Sequence, residues 1–168
     1  MNKKFLRNYG IKIQSLSNNI HEYDFEFNQD LIDFSSDENE LKDVSGICNL
    51  NVSKSDLMLE VLFKIQGKTK LVCDRTLKNF TYSLNSEKKI LFKFGEEDDE
   101  ISDEMVVIDR NKSILNMAKY IYEFFMLEIP IKRLHPSVEN EDNIDNFVFT
   151  TKQKKEIDPR LDPLNKLK

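Results

Sequence analysis

Apolar and polar side chains alternate along much of the N-terminal half of the chain, and alternation at period two marks strands with one buried and one wet face. Ile11-Lys12-Ile13-Gln14 and Tyr23-Asp24-Phe25-Glu26-Phe27 read this way. Cys48, Leu50 and Val52 share one face of a third strand, opposite Asn49, Asn51 and Ser53. Leu59, Val61, Phe63 and Ile65 line a fourth, which ends at Gly67, and Lys70-Leu71-Val72-Cys73 makes a short fifth. Phe80, Tyr82 and Leu84 give a sixth, and Ile90, Phe92 and Phe94 a seventh that ends at Gly95. The short connections favour antiparallel hairpins and meanders over crossovers.

The pattern then changes period. Between Lys112 and Leu127 the polar side chains Asn116, Lys119, Tyr120 and Glu123 fall at i, i+3, i+4 and i+7, one narrow helical stripe. The rest of that segment is apolar, which predicts a helix at about 112–128 buried on most of its circumference, with Ile114, Ile121 and Phe125 in the core. Asp109 or Asn111 is the expected N-cap and Pro130 the stop. The fold class is therefore α+β: a curved, mainly antiparallel sheet, with barrel-like closure allowed by the pattern, plugged by one long amphipathic helix.

Composition sharpens this. With 168 residues, 39% apolar residues and twelve phenylalanines, the chain can build one packed domain without a disulfide or a metal. No apolar run reaches the length of a membrane span, and Met1-Asn2-Lys3-Lys4-Phe5-Leu6-Arg7 leads into polar alternation instead of a signal-peptide core. Two cysteines, Cys48 and Cys73, both within apolar runs, argue against a disulfide scaffold and for a reducing cytoplasm.

The formal net charge is −5, which excludes a uniformly basic nucleic-acid binder but not a local basic patch. Glu96, Glu97, Asp98, Asp99, Glu100, Asp103 and Glu104 form an acidic run that reads as solvated loop, because like charges repel in a compact element. A second acidic, Asn-rich stretch follows Pro136, and the sign then reverses, with Lys152, Lys154, Lys155, Arg160, Lys166 and Lys168 facing three acids. The expected boundary lies near Ser137: a core over 1–137 and an extended acidic-then-basic tail over 138–168. Leu161, Leu164 and Leu167 give that tail a short apolar stripe suited either to docking back on the core or to a partner.

Candidate chemistry is sparse. Cys73-Asp74-Arg75-Thr76-Leu77 reads most simply as a strand end and tight turn, with Cys73 as a small apolar residue, Asp74 capping the turn and Arg75 toward solvent. A thiolate activated by Arg75 is the sharper alternative. His21 and His135 are the only histidines, and no Gly-rich phosphate loop, Gly-x-Ser-x-Gly or Cys-x-x-Cys accompanies them, so neither catalysis nor a zinc site is expected. Lys132, Arg133 and His135 form a small basic cluster able to reach phosphates, or an ordinary solvated connection.

Several of these pieces occur in an order that resembles the YceD family. Cys73-Asp74-Arg75-Thr76-Leu77-x-x-Phe80 is similar to that family's Cys-x-Arg-Cys-Leu motif. An acidic loop and a strand-like Met105–Asp109 follow. Then comes a helix running into Glu128-Ile129-Pro130-Ile131-Lys132-Arg133-Leu134-His135-Pro136, in which Pro130 and His135 match the family's proline and histidine. Asp158-Pro159-Arg160, with Leu164 and Leu167, resembles its ending. Thr76 stands where a second cysteine is common in the family, so no metal is expected here.

The resemblance implies a role in accumulation of large-subunit ribosomal RNA, as in bacteria and plastids, without known catalysis. The implied partner is a large-subunit ribosomal RNA precursor or an early ribosomal protein, with no cofactor, small-molecule substrate or membrane. Arg75, Lys132, Arg133, Lys152, Lys154, Lys155 and Arg160 are the residues expected to meet phosphates, arginine by bidentate bonds. The competing reading is an acidic protein-binding adaptor with no RNA contact, and a nuclease ranks last for want of a convergent carboxylate–histidine set.

Overall fold

The computed structural model describes residues 7–35 and 41–137, without the side chains of Phe34 and Ser35. The chain divides into two units, Met1–His135 and Pro136–Lys168, and every element below belongs to the first. Strands β1 (Gly10–Lys12), β2 (Ile20–Asn28), β3 (Lys42–Lys54), β4 (Met58–Val72), β5 (Asn79–Gly95), β6 (Asp99–Ser102), β7 (Met105–Asp109) and β8 (Ile114–Asn116) are joined by helices α1 (Gln29–Ser35) and α2 (Ala118–Leu127).

Six strands form one open sheet in the order β2-β3-β4-β5-β7-β6, and β1 pairs with β8 in a separate two-stranded sheet. The sheet is not closed as a barrel: β2 and β6 are its edges. Neighbours from β2 to β5 are antiparallel, as expected, but β5 and β7 run parallel, Leu91 facing Met105 and Gly95 facing Asp109. The acidic run causes this. Its residues are exposed, as a solvated loop would be, yet 99–102 pair with β7 as the outermost strand and turn the chain back inside it. Lys112 pairs with Asp98 and Lys119 with Glu100, relieving the repulsion that argued against order there.

Two expected strand ends are absent. Gly67 lies inside β4, directly opposite Gly46 of β3, and β5 runs unbroken from Asn79 to Gly95. The glycines serve packing: Phe27 covers Gly46 and Phe125 covers Gly67, where a methyl would otherwise stand.

The odd-numbered positions of β4, Leu59, Val61, Phe63, Ile65 and Leu71, turn into the core. Both helices pack on that face, α1 through Leu31 and Ile32, α2 through Ala118, Ile121, Phe124 and Phe125. The other face of β2–β5 carries mostly exposed polar side chains.

The expected long helix is shorter than its apolar pattern, which spans 112–128. Residues 114–116 are instead β8, held by Ile11 opposite Leu115 and extended by Met117 N–H donating to Tyr9 O at 2.9 Å. A non-local pairing with the N-terminal segment thus overrides local helical periodicity. Ile114, expected in the core, is 51% exposed on that strand, whereas Ile121 and Phe125 are fully buried. Neither Asp109 nor Asn111 caps α2; Asn116 Oδ1 accepts from Ala118 N–H at 2.9 Å. The helix ends at Leu127, before Pro130. Among the described residues no helix is long and apolar enough to cross a membrane.

Candidate functional site

Strand β4 delivers Cys73 to a tight turn. Cys73 N–H donates to Lys78 O and Leu77 N–H to Cys73 O, each at 2.9 Å, and Leu77 closes the loop with φ of 55°. That left-handed conformation is costly for a leucine. The Leu77 side chain is exposed, so the backbone bond to Cys73, not packing, holds it.

The turn is locked to the segment after α2. Asp74 N–H donates to Arg133 O at 2.8 Å, and Arg133 N–H donates to Asp74 Oδ2 at 2.7 Å. His135 N–H donates to Cys73 Sγ at 3.3 Å, and its ring meets Phe80 edge-on with centroids 5.7 Å apart. Two stretches some sixty residues apart in sequence are therefore one surface feature. The Asp74 carboxylate, expected to cap its own turn, accepts from the segment after α2.

Cys73 is a buried acceptor, not merely a small apolar residue. The Thr76 hydroxyl donates to its sulfur, joined by the backbone N–H groups of His135, Thr76 and Arg75. These donors favour the anion and lower the thiol to about 7 against the opposing pull of desolvation. The other cysteine, Cys48, lies in the sheet core, where burial pushes its thiol up to about 12.

Thr76→Val is thus expected to raise the pH at which Cys73 ionises. Thiolate absorbance read across neutral pH checks it, since Cys48 stays protonated there. A transition unmoved by the substitution would remove the hydroxyl from this account. The sign for stability follows from linkage: a lowered acid pKa stabilises the fold above the ordinary thiol value, and that gain is lost as pH falls through about 7.

Of the expected contact residues, Arg75 and Lys132 are exposed and Arg133 is half-buried. The Asp74–Arg133 bonds bring the three onto neighbouring positions. Pro130 follows the α2 terminus, and Lys152, Lys154, Lys155 and Arg160 lie outside the described residues. A Cys–His catalytic pair does not form with His21, which is at the opposite end of the sheet and hydrogen-bonds to Ser17 O. His135 meets the sulfur through its backbone. Among the described residues no three His, Cys, Asp or Glu side chains converge as a metal would need.

What the sequence reading missed is the sulfur's donor shell and the Asp74–Arg133 lock. Their signal was the pairing of two short motifs far apart in the chain. A family model described as Large ribosomal RNA subunit accumulation protein YceD matches residues 61–168, a span that includes both. No curated protein and no solved structure matches the chain.

Proposed function

The chain belongs to the YceD family of large ribosomal RNA subunit accumulation proteins, and on that premise we propose that it is a non-catalytic, cytoplasmic ribosome-biogenesis factor that binds large-subunit ribosomal RNA directly as it matures. The observation that carries this reading is the lock between the 73–78 turn and residues 131–135, which gathers Arg75, Lys132 and Arg133 on an otherwise acidic chain. The backbone is held at Arg133 and at His135, so less ordering of this segment is left for binding to supply.

The acidic body repels polyanions elsewhere, so RNA is confined to local basic ground and binding gains specificity at the expense of strength. The Cys73 donor shell acts as an internal strut of the turn. It orders Arg75 without any metal chemistry.

The test is binding to labelled large-subunit ribosomal RNA across a range of salt concentrations. The double reversal Lys132→Glu, Arg133→Glu is expected to weaken binding and to make the log–log salt slope less negative by about 1.4, at about 0.7 per lost phosphate contact on a single strand. An unchanged slope would exclude this cluster as the contact. The adaptor reading, in which residues 96–104 capture a basic ribosomal protein, predicts no RNA binding at any salt.

A further inference from the structure

The turn sits at the end of β4, and the outward face of the second half of β4 carries three lysines. Alternation places Lys64, Lys68 and Lys70 on the face away from the core, beside Gln66. In register, Lys64 lies between Asn49 and Glu87, Lys68 between Ser45 and Ser83, and Lys70 between Lys42 and Thr81. Lys70 pairs with Asp43 at 2.5 Å, but neither Lys64 nor Lys68 makes an ion pair with a described residue. At about 3.3 Å of rise per residue, the run from Lys64 to Lys70 covers roughly 20 Å and leads into Cys73 and Arg75.

The ground around this run mixes polar and apolar side chains, and no described element covers it. A trough of about 840 Å³ crosses the sheet beside it, with Gln66, Lys68 and Ser83 at one end and Asp24 and Glu26 of β2 at the other. On the far side, the edge strand β2 turns Glu22, Asp24 and Glu26 outward. The edge of this face thus carries carboxylates on β2, while the lysines lie on β4 with Glu60 on the same strand and Glu87 beside Lys64.

We propose that the outward face of β4 is a track for the phosphate backbone of single-stranded RNA, continuous with the 73–78 turn. The inference rests on the RNA reading above and extends it to residues that no motif marks. The β2 carboxylates repel a polyanion and hold it to the lysine row, while the amides and hydroxyls of Gln66, Ser45 and Ser83 offer hydrogen bonds to sugars and base edges. No aromatic ring stands among the outward positions of β3, β4 and β5, so the track lacks a stacking platform. Recognition there is by charge, tolerant of sequence and steep in salt.

The test compares wild type with Lys64→Gln, Lys68→Gln and with Lys64→Glu, Lys68→Glu, using a labelled large-subunit ribosomal RNA transcript and polyuridylate as probes. The glutamine pair is expected to make the salt slope less negative by about 1.4 on both probes, and the glutamate pair to weaken binding further. Both lysines are exposed, so thermal unfolding of either variant should match wild type. Should the glutamate pair fail to fold, the neutral pair still decides. If wild type binds RNA, the Lys132/Arg133 reversal weakens it and both lysine pairs leave it unchanged, the track is wrong while the RNA reading stands. If wild type binds neither probe, both fail. Capture of polyglutamate in place of either RNA would likewise overturn the track and assign this face to an acidic protein.

Discussion

Phe125→Ala should cost about 3–5 kcal/mol of folding stability, read as a shift in the denaturant midpoint at unchanged slope. Phe125 is wholly buried on α2 and meets Phe27 edge-on, with centroids 5.4 Å apart and planes 73° from each other. Its ring also closes over Gly67, where no side chain of β4 could move in to fill a void. A cavity beneath a helix and against a glycine can collapse only if the helix shifts, and α2 is tied in turn to β8 through Ala118 N–H on Asn116 Oδ1. Alanine is the better helix former, so local propensity opposes the expected sign. A loss below about 1 kcal/mol would mean that the sheet and α2 do not share this core. With total stabilities of about 5–15 kcal/mol for domains in general, the expected loss is a large fraction of the whole.

Gly46→Ala is expected to destabilise by about 3 kcal/mol, again measured by denaturant unfolding. A Cβ at Gly46 would lie 2.3 Å from Phe27 Cζ and 2.5 Å from the backbone oxygen of Gln66. The ring could turn aside, but the Gln66 carbonyl belongs to the neighbouring strand and moves only if β3 and β4 separate. In an unobstructed strand the same change would stabilise by about 0.5–1 kcal/mol through the lost freedom of glycine in the unfolded chain. The sign therefore decides. A stabilised Gly46→Ala protein would show that β3 and β4 are not in the register that sets Gly46 opposite Gly67.

These two positions also show what the chain disclosed before its structure was known. Phe125 was legible because a helical stripe of polar residues leaves only one reading of its face. Gly67 was misread as a strand end, because a glycine in an alternating run marks either a break or a close approach, and only the ring of Phe125 decides which. Ile114 was misread for a related reason: a segment apolar around most of a helix also reads as a strand with Leu115 and Met117 inward and Ile114 outward, and the choice rests on β1, a hundred residues away.

The acidic run was read correctly as exposed. Its outermost strand was not, since that strand depends on Lys112 and Lys119 supplying countercharge from beyond β7. The candidate site divides in the same way. Arg75, Lys132 and Arg133 were named from residue type and motif, but their convergence depends on hydrogen bonds between segments that local pattern cannot join. The lysines of β4 were in plain view at even positions of an alternating strand, and lacked only the knowledge that no described element covers their face.

The central claim, direct contact with large-subunit ribosomal RNA through a local basic surface, is tested most directly by the salt dependence of wild-type binding to that RNA. Three phosphate contacts from Arg75, Lys132 and Arg133 predict a log–log slope of about −2, or a loss of roughly twenty-fold between about 50 and 200 mM salt, and contacts along β4 would steepen it. Absence of binding at the lowest salt, or binding with a flat slope, would contradict the account.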